Sequence, residues 1–292
     1  MRAIIVPGVT NSRSFGLSIP LPSGFVGERL DFGWAASKVS ERDALAAAGL
    51  FDPAKAGAAG EPTTLGGRGS LRRIVLPSGP VLVRQYLHGG LFRSVTGSCF
   101  CDAGRPFREL ALAAELRAAG IATPEPLAAA ALGRWPAYRL FFVSREIEGK
   151  DLDAALRAES DPARRGALLA SAGNAARKFH DAGFFHADFH PKNFLVGSRT
   201  GEIHVLDLDR GRRFSSLSRG QRAANLARLY RYGLRREALG EGLAWSGEDF
   251  LRLLRGYDVG GADALWEEIQ AEISQASLLH RLGWAVEKRR NS

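Results

Sequence analysis

The segment His186-Ala-Asp188-Phe-His-Pro-Lys-Asn193, followed fourteen residues after Asn193 by Asp207 in Val205-Leu-Asp207-Leu-Asp209, constrains this chain more than any other. A carboxylate and an amide five residues apart, on a loop leaving a helix, can present both side chains on one side of a cleft. A second carboxylate at the end of a β-run completes a hard, all-oxygen metal site. The surrounding periodicity predicts the matching elements. A helix over Ala163–Asp181 precedes the loop, and β-runs Phe194–Val196 and Ile203–Leu206 flank a polar turn. Asp188 and Asn193 as loop caps and Asp207 as a turn residue would need none of this context, so its presence favours a site.

The rest of the chain divides by period. Residues 1–60 read as irregular, with Pro7, Pro20, Pro22 and Pro53, except for a helix from Ser40 (cap) to Gly49 (stop). A turn Gly66-Gly67-Arg68-Gly69 leads into Leu71–Leu76, and a Pro-Ser-Gly-Pro turn into Val81–Tyr86, which together predict a hairpin. A helix Arg105–Ala119 closed by Gly120 follows, then strands Leu127–Leu132 and Tyr138–Arg145. Helices over Asp151–Ala158, Ala163–Asp181 and Gln221–Tyr232, with two more at the C-terminal end, dominate the second half. The expected class is α+β and bilobal: an extension of unassigned role (1–60), a small β-rich N-lobe (61–145) and a helical C-lobe (146–292), with a cleft between the lobes.

Composition narrows the partners. A 292-residue chain with 45% hydrophobic residues builds a real core, and its net charge of +9 favours acidic partners such as phosphates or anionic lipid. No apolar run approaches the roughly 18 residues that span a bilayer. Ala3–Val6 is too short for a signal-peptide core, so a cytoplasmic protein is expected. Cys99 and Cys101 lack a second Cys/His pair to complete a zinc site and read as reduced thiols. No basic stripe interleaved with aromatics is read along one helix, so nucleic acid is not expected; Arg228, Arg231, Arg235 and Arg236 fall in one helical stretch. They read as serving an anionic membrane face or solvent.

The acidic loop resembles the protein-kinase set H-R-D-x-x-x-x-N followed by D-F-G, with Ala187 for Arg and Asp-Leu-Asp for Asp-Phe-Gly. Phosphoryl transfer needs an acceptor for the hydroxyl proton, oxygen ligands for Mg²⁺ and cover for the phosphates. Those roles fall to Asp188 as base, Asn193 and Asp207 as metal ligands, and the backbone of Gly66, Gly67 and Gly69 against the phosphates of ATP. Arg84 ends a Val-Leu-Val run where kinases carry Lys, and Glu109 is its expected ion-pair partner; an ordinary surface pair is the alternative. His190 is a candidate contact to substrate or phosphate. His186 reads as a brace for the loop and His180 as packing at a helix end. Only eighteen residues carry the chain from Asp207 to Asn225, without Ala-Pro-Glu, so a peptide-docking segment has little room and a small substrate is expected. Arg210, Arg212 and Arg213 could receive its acidic groups, or be a solvated basic loop.

The segments Gly67-Arg-Gly-Ser70, Val83-Arg-Gln-Tyr-Leu-His-Gly-Gly90, Gly104-Arg-Pro-Phe-Arg-Glu109, Phe185-His-Ala-Asp188, Asp207-Leu-Asp-Arg-Gly-Arg212 and Asn225-Leu-Ala-Arg-Leu229 resemble the 3-deoxy-D-manno-octulosonate (Kdo) kinase family, among the lipopolysaccharide core kinases of Gram-negative bacteria. The resemblance runs in order from about residue 65 to 235. It implies a kinase-like fold, ATP with Mg²⁺, and phosphorylation of a sugar hydroxyl on a lipid A-linked core, at the cytoplasmic face of the inner membrane. Arg84 matches that family's own pattern. His190-Pro-Lys departs from it and is similar to aminoglycoside phosphotransferases. An antibiotic- or choline-type phosphotransferase and a nucleotide-binding pseudokinase therefore stay open beside the sugar kinase.

Overall fold

The computed structural model describes residues 17, 19–63, 70–88, 98–239 and 245–274, which form a mixed α/β protein with a large antiparallel sheet and several helices. The chain separates into two compact units, 1–117 with 124–147, and 118–123 with 148–292. The glycine turn at Gly66, Gly67 and Gly69 lies outside the described residues.

The first unit is built on eight strands. They are β1 (Phe25–Leu30), β2 (Gly33–Lys38), β3 (Glu61–Pro62), β4 (Ser70–Leu76), β5 (Gly79–Gln85), β6 (Cys99–Phe100), β7 (Pro126–Arg134) and β8 (Ala137–Arg145). Their order is β1-β2-β7-β8-β5-β4-β3, with β6 also on β8. The expected hairpin is β4–β5, in register from Ser70 opposite Gln85 to Leu76 opposite Gly79. Along β5, Val81 and Val83 are buried in a core with Leu45, Leu50, Ile74, Phe141 and Val143, which turns Leu82 and Arg84 to the other face. The interior strand β7, between β2 and β8, does not alternate: Leu127 to Leu132 is buried throughout, as a strand covered on both faces must be.

Two expectations are corrected here. Residues 25–38 are not irregular: β1 and β2 form a hairpin that joins the large sheet through β2 on β7. Val26-Gly27-Glu28 and Trp34-Ala-Ala-Ser37 carry too few β-branched residues to signal strands, and sheet pairing overrides that weak local preference. Ser40 caps nothing; it lies in a 3₁₀ turn Val39–Glu41, and α1 (Arg42–Ala47) starts after Glu41 without a side-chain cap.

The first unit also holds nearly all of α2 (Arg105–Ala118), which ends ahead of Gly120 as the sequence suggests. In the second unit α3 (Leu152–Ala158) and α4 (Pro162–Asp181) begin on Asp151 and Asp161, whose carboxylates accept the Ala154 and Arg164 amides at 2.8 Å. Helices α5 (Arg219–Ala238) and α6 (Gly247–Tyr257) open with capping boxes, Ser218/Gln221 and Ser246/Asp249, and a further helix runs over 262–274. Helix α5 extends about six residues beyond the expected Tyr232. Helices α4 and α6 cross at two glycines: a Cβ on Gly173 would stand 2.0 Å from Leu253 O, and one on Gly256 2.3 Å from Ala170 O. Among the described residues no helix is long and apolar enough to cross a membrane.

Candidate active site

In the second unit the acidic loop is held from both ends. Helix α4 delivers the chain to β10 (Phe184–Phe185), and β11 (Phe194–Gly197) and β12 (Ile203–Val205) form the hairpin after the loop, with β9 (Gly149–Asp151) on the other edge of β11. The chain then returns as β13 (Arg212–Arg213), paired with β10. Inside this frame buried and exposed residues take turns. His186, Phe189, Pro191 and Asn193 are buried, whereas the Asp188 side chain is 77% exposed. Phe189 is clamped among Phe179, His180, His186 and Phe194, with ring centres 4.9–6.0 Å away. Burying the neighbours leaves Asp188 nowhere to point but out.

Backbone partners dictate the histidine tautomers. The Asp188 amide donates to His186 Nδ1 at 3.0 Å, so Nε2 carries the hydrogen and donates to Leu206 O at 2.8 Å. His186 is therefore a neutral strut between the loop and the residue before Asp207, and burial pushes its pKa down. Asn225 on α5 completes the brace: its Oδ1 accepts the His186 amide at 3.2 Å and its Nδ2 donates to His186 O at 2.8 Å. The same Oδ1 accepts from His180 Nε2 at 3.1 Å, leaving His180 Nδ1 to accept from Tyr257 Oη at 3.0 Å. Burial lowers the His180 pKa to about 4, so this ring is neutral too. Both histidines are structural, in line with expectation.

Leu206 N donates to Asn193 O at 2.8 Å, which continues the β11–β12 pairing by one step and brings the chain just ahead of Asp207 against Asn193. Asp207 is exposed and adopts φ = +52°, an uncommon backbone for a non-glycine residue and the kind of local strain found where a side chain must be aimed. Asn193 Nδ2 donates to Asp188 O at 2.8 Å, which turns its Oδ1 away as an acceptor. An amide oxygen and a carboxylate in adjacent turns suit a hard cation that takes its remaining ligands from phosphate and water. No group of three or more His, Cys, Asp or Glu able to hold a metal occurs among the described residues. His190 Nε2 lies 3.4 Å from Asp188 Oδ2, and this contact holds the Asp188 carboxyl below the usual carboxylate range. The His190 ring stacks on Tyr232, 5.3 Å between centres. Arg210, Arg212 and Arg213 are all exposed, Arg210 with φ = +61° in the turn and Arg213 with its guanidinium over the Phe184 ring at 5.3 Å.

In the first unit β5 and α2 bring Arg84 and Glu109 together. Arg84 Nη2 donates to Glu109 Oε1 at 2.5 Å and also bonds Oε2, and Glu109 is only 4% exposed. Tyr86 adds a third partner, donating its hydroxyl to Glu109 Oε2. The pair is thus partly buried and hydrogen-bonded, unlike an ordinary surface pair.

Sequence reasoning overlooked Tyr86, the bracing role of Asn225 and the place of Tyr232. Tyr86 is two residues from Arg84, so strand period alone puts both on one face. Asn225, Arg228 and Tyr232 recur at i, i+3 and i+7 along a helix, and that stripe is legible once the loop is known to need a partner.

Against known proteins, a family model described as the lipopolysaccharide kinase (Kdo/WaaP) family matches residues 60–257. A 3-deoxy-D-manno-octulosonic acid kinase of Stenotrophomonas maltophilia (strain R551-3) is 34% identical over 225 residues, 75% of this chain and 87% of that protein. The proteins of the same name from Xanthomonas campestris pv. campestris (strain B100) and Xanthomonas oryzae pv. oryzae (strain PXO99A) are 34% identical over 195 residues and 32% over 225. The first of these covers 65% of this chain and 76% of its own length, the second 75% and 87%.

Proposed function

The chain belongs to the lipopolysaccharide kinase (Kdo/WaaP) family, and on that premise we propose that it transfers the γ-phosphate of ATP to a hydroxyl of Kdo in the lipid A-linked inner core of lipopolysaccharide. The observation that carries the reading is the braced loop: Asp188 exposed between buried anchors, with Asn193 and the residue before Asp207 tied together by one backbone bond. In this mechanism Asp188 accepts the proton of the sugar hydroxyl while its oxygen bonds to the γ-phosphorus and the bond to the ADP oxygen breaks. The depressed pKa keeps Asp188 ionised at neutral pH, so it orients the hydroxyl and takes the proton late, as the new phosphate ester forms.

Asn193 Oδ1 and the Asp207 carboxylate would hold Mg²⁺, which when bound offsets the charge of the nucleotide phosphates. Arg84, held by Glu109 and Tyr86, is assigned to the phosphates, together with the glycines Gly66, Gly67 and Gly69. Arg210, Arg212, Arg213 and His190 are assigned to the acceptor side. The strand-rich and helical units are read as the N-lobe and C-lobe of a kinase-like fold, which their element content supports. A lipid-linked acceptor and a net charge of +9 support peripheral attachment to the anionic cytoplasmic face of the inner membrane.

The test is Mg²⁺-dependent phosphate transfer from ATP to Kdo-lipid A, with Asp188→Asn as the blank. Transfer by the wild type that falls by roughly 10³-fold or more in the blank is expected, a loss in the upper range for removing a positioned base. Wild-type rates in Asp188→Asn would remove Asp188 from the chemistry. A wild type that binds ATP but phosphorylates other sugars or antibiotics would replace the acceptor.

A further inference from the structure

Several arginines of the second unit are neutralised by a nearby carboxylate. Arg165 pairs with Asp249, Arg157 with Asp153, and Arg177 and Arg222 with Asp181. The pattern breaks on the face of α5 that meets the acidic loop. Arg228 there donates to Ala187 O, next to Asp188, and its guanidinium sits 5.7 Å from the centre of the Phe185 ring. Arg231, three residues on and so adjacent on the helix surface, makes no hydrogen bond or ion pair among the described residues, although its side chain is half-buried. Among the described residues no carboxylate bonds the exposed Arg228 either. Burial and the neighbouring Arg228 both push the Arg231 pKa down, while the exposed Glu272 pulls weakly the other way. A guanidinium cannot escape such a setting by losing its proton, so the cost persists until an anion arrives.

We infer that Arg228 and Arg231 together form an anion subsite of the acceptor, where a carboxylate or phosphate of the sugar-lipid docks across two neighbouring guanidiniums, of which Arg228 reaches the loop next to Asp188. Forked donors bind such planar or tetrahedral oxyanions bidentately, so the subsite orients the acceptor as well as holding it. The inference rests on the proposed acceptor chemistry. It adds α5 to the exposed Arg210, Arg212 and Arg213 as a source of acceptor contacts, with Arg228 exposed as they are and Arg231 half-buried. Arg228 also supports the loop through Ala187, so Arg231, which bonds nothing, is the cleaner probe.

The experiment is steady-state kinetics of the full chain with ATP and Kdo-lipid A, comparing wild type, Arg231→Gln and Arg231→Lys. For Arg231→Gln the acceptor KM should rise on the order of ten- to hundred-fold, the size of one or two charge-assisted bonds, with kcat and the ATP KM within about twofold. Arg231→Lys should recover part of the loss. An acceptor with its sugar carboxylate converted to the amide, and one stripped of its lipid phosphates, identify the anion: wild type and Arg231→Gln become alike on whichever lacks the docked group. Unchanged acceptor KM in Arg231→Gln, or a rise in the ATP KM instead, overturns the inference. If the wild type fails to use Kdo-lipid A, the proposed acceptor falls, and thermal unfolding decides the subsite separately. Millimolar inorganic phosphate, against chloride of matched ionic strength, should then raise the wild-type Tm more than that of Arg231→Gln; equal shifts would overturn it.

Discussion

Among single residues, Arg84 shows how a change of cation is accommodated. An ammonium would give Glu109 a compact point charge; the guanidinium instead spreads one nitrogen across both carboxylate oxygens while Tyr86 donates to one of them. Glu109 is nearly inaccessible, so removing Arg84 takes the bidentate cation away from a buried carboxylate. Arg84→Ala is expected to cost about 3 kcal/mol of stability by urea denaturation at pH 7, in the range for breaking a buried pair. Loss of no more than about 0.5 kcal/mol would mark the pair as a surface contact. Asp188, Asn193 and Asp207 could be put forward from residue type and spacing alone, because a hard-cation site of the proposed kind needs such oxygens at such separations. Tyr86 and Asn225 could not, because a phenol and an amide become informative only when their partners are in view.

The next scale is that of helices and strands, whose local signals varied in strength. Caps at Asp151, Asp161, Ser218 and Ser246 are strong because one side chain satisfies an amide otherwise orphaned at a helix start. The β1–β2 hairpin had no such signal, and it exists because β7 offers a pairing edge. The crossing of α4 and α6 is another feature hidden from local pattern: glycine in a helix reads as a weakness, yet here it admits the facing backbone. Gly173→Ala would drive a methyl to 2.0 Å from Leu253 O, and no flexible side chain can yield in its place. The expected loss is about 1–3 kcal/mol, read by denaturation, although alanine is the better helix former by about 1 kcal/mol. A stabilised variant would mean that the two helices separate freely.

For the molecule as a whole, the buried neutral histidines tie stability to pH. His180 titrates near 4 when folded and near 6.5 when unfolded, so between these values the unfolded chain holds more protons and stability falls as pH falls. The slope from His180 approaches about 1.4 kcal/mol per pH unit below 6.5 and levels off below about 4; His186, also lowered, acts in the same direction. Denaturation midpoints measured from pH 7.5 to 4.5 should decline accordingly, and His180→Gln should be less stable at pH 7 but less dependent on pH. A wild-type profile flat over that range would contradict the buried neutral state. The sequence alone determined the class of chemistry and the order of most elements, because these depend on residue type and short-range period. Only the tertiary structure decided which histidines are struts, which glycines are contacts and which arginines pair with which carboxylates. Those properties depend on residues distant in the chain, and burial and pairing exist only once the fold has brought them together.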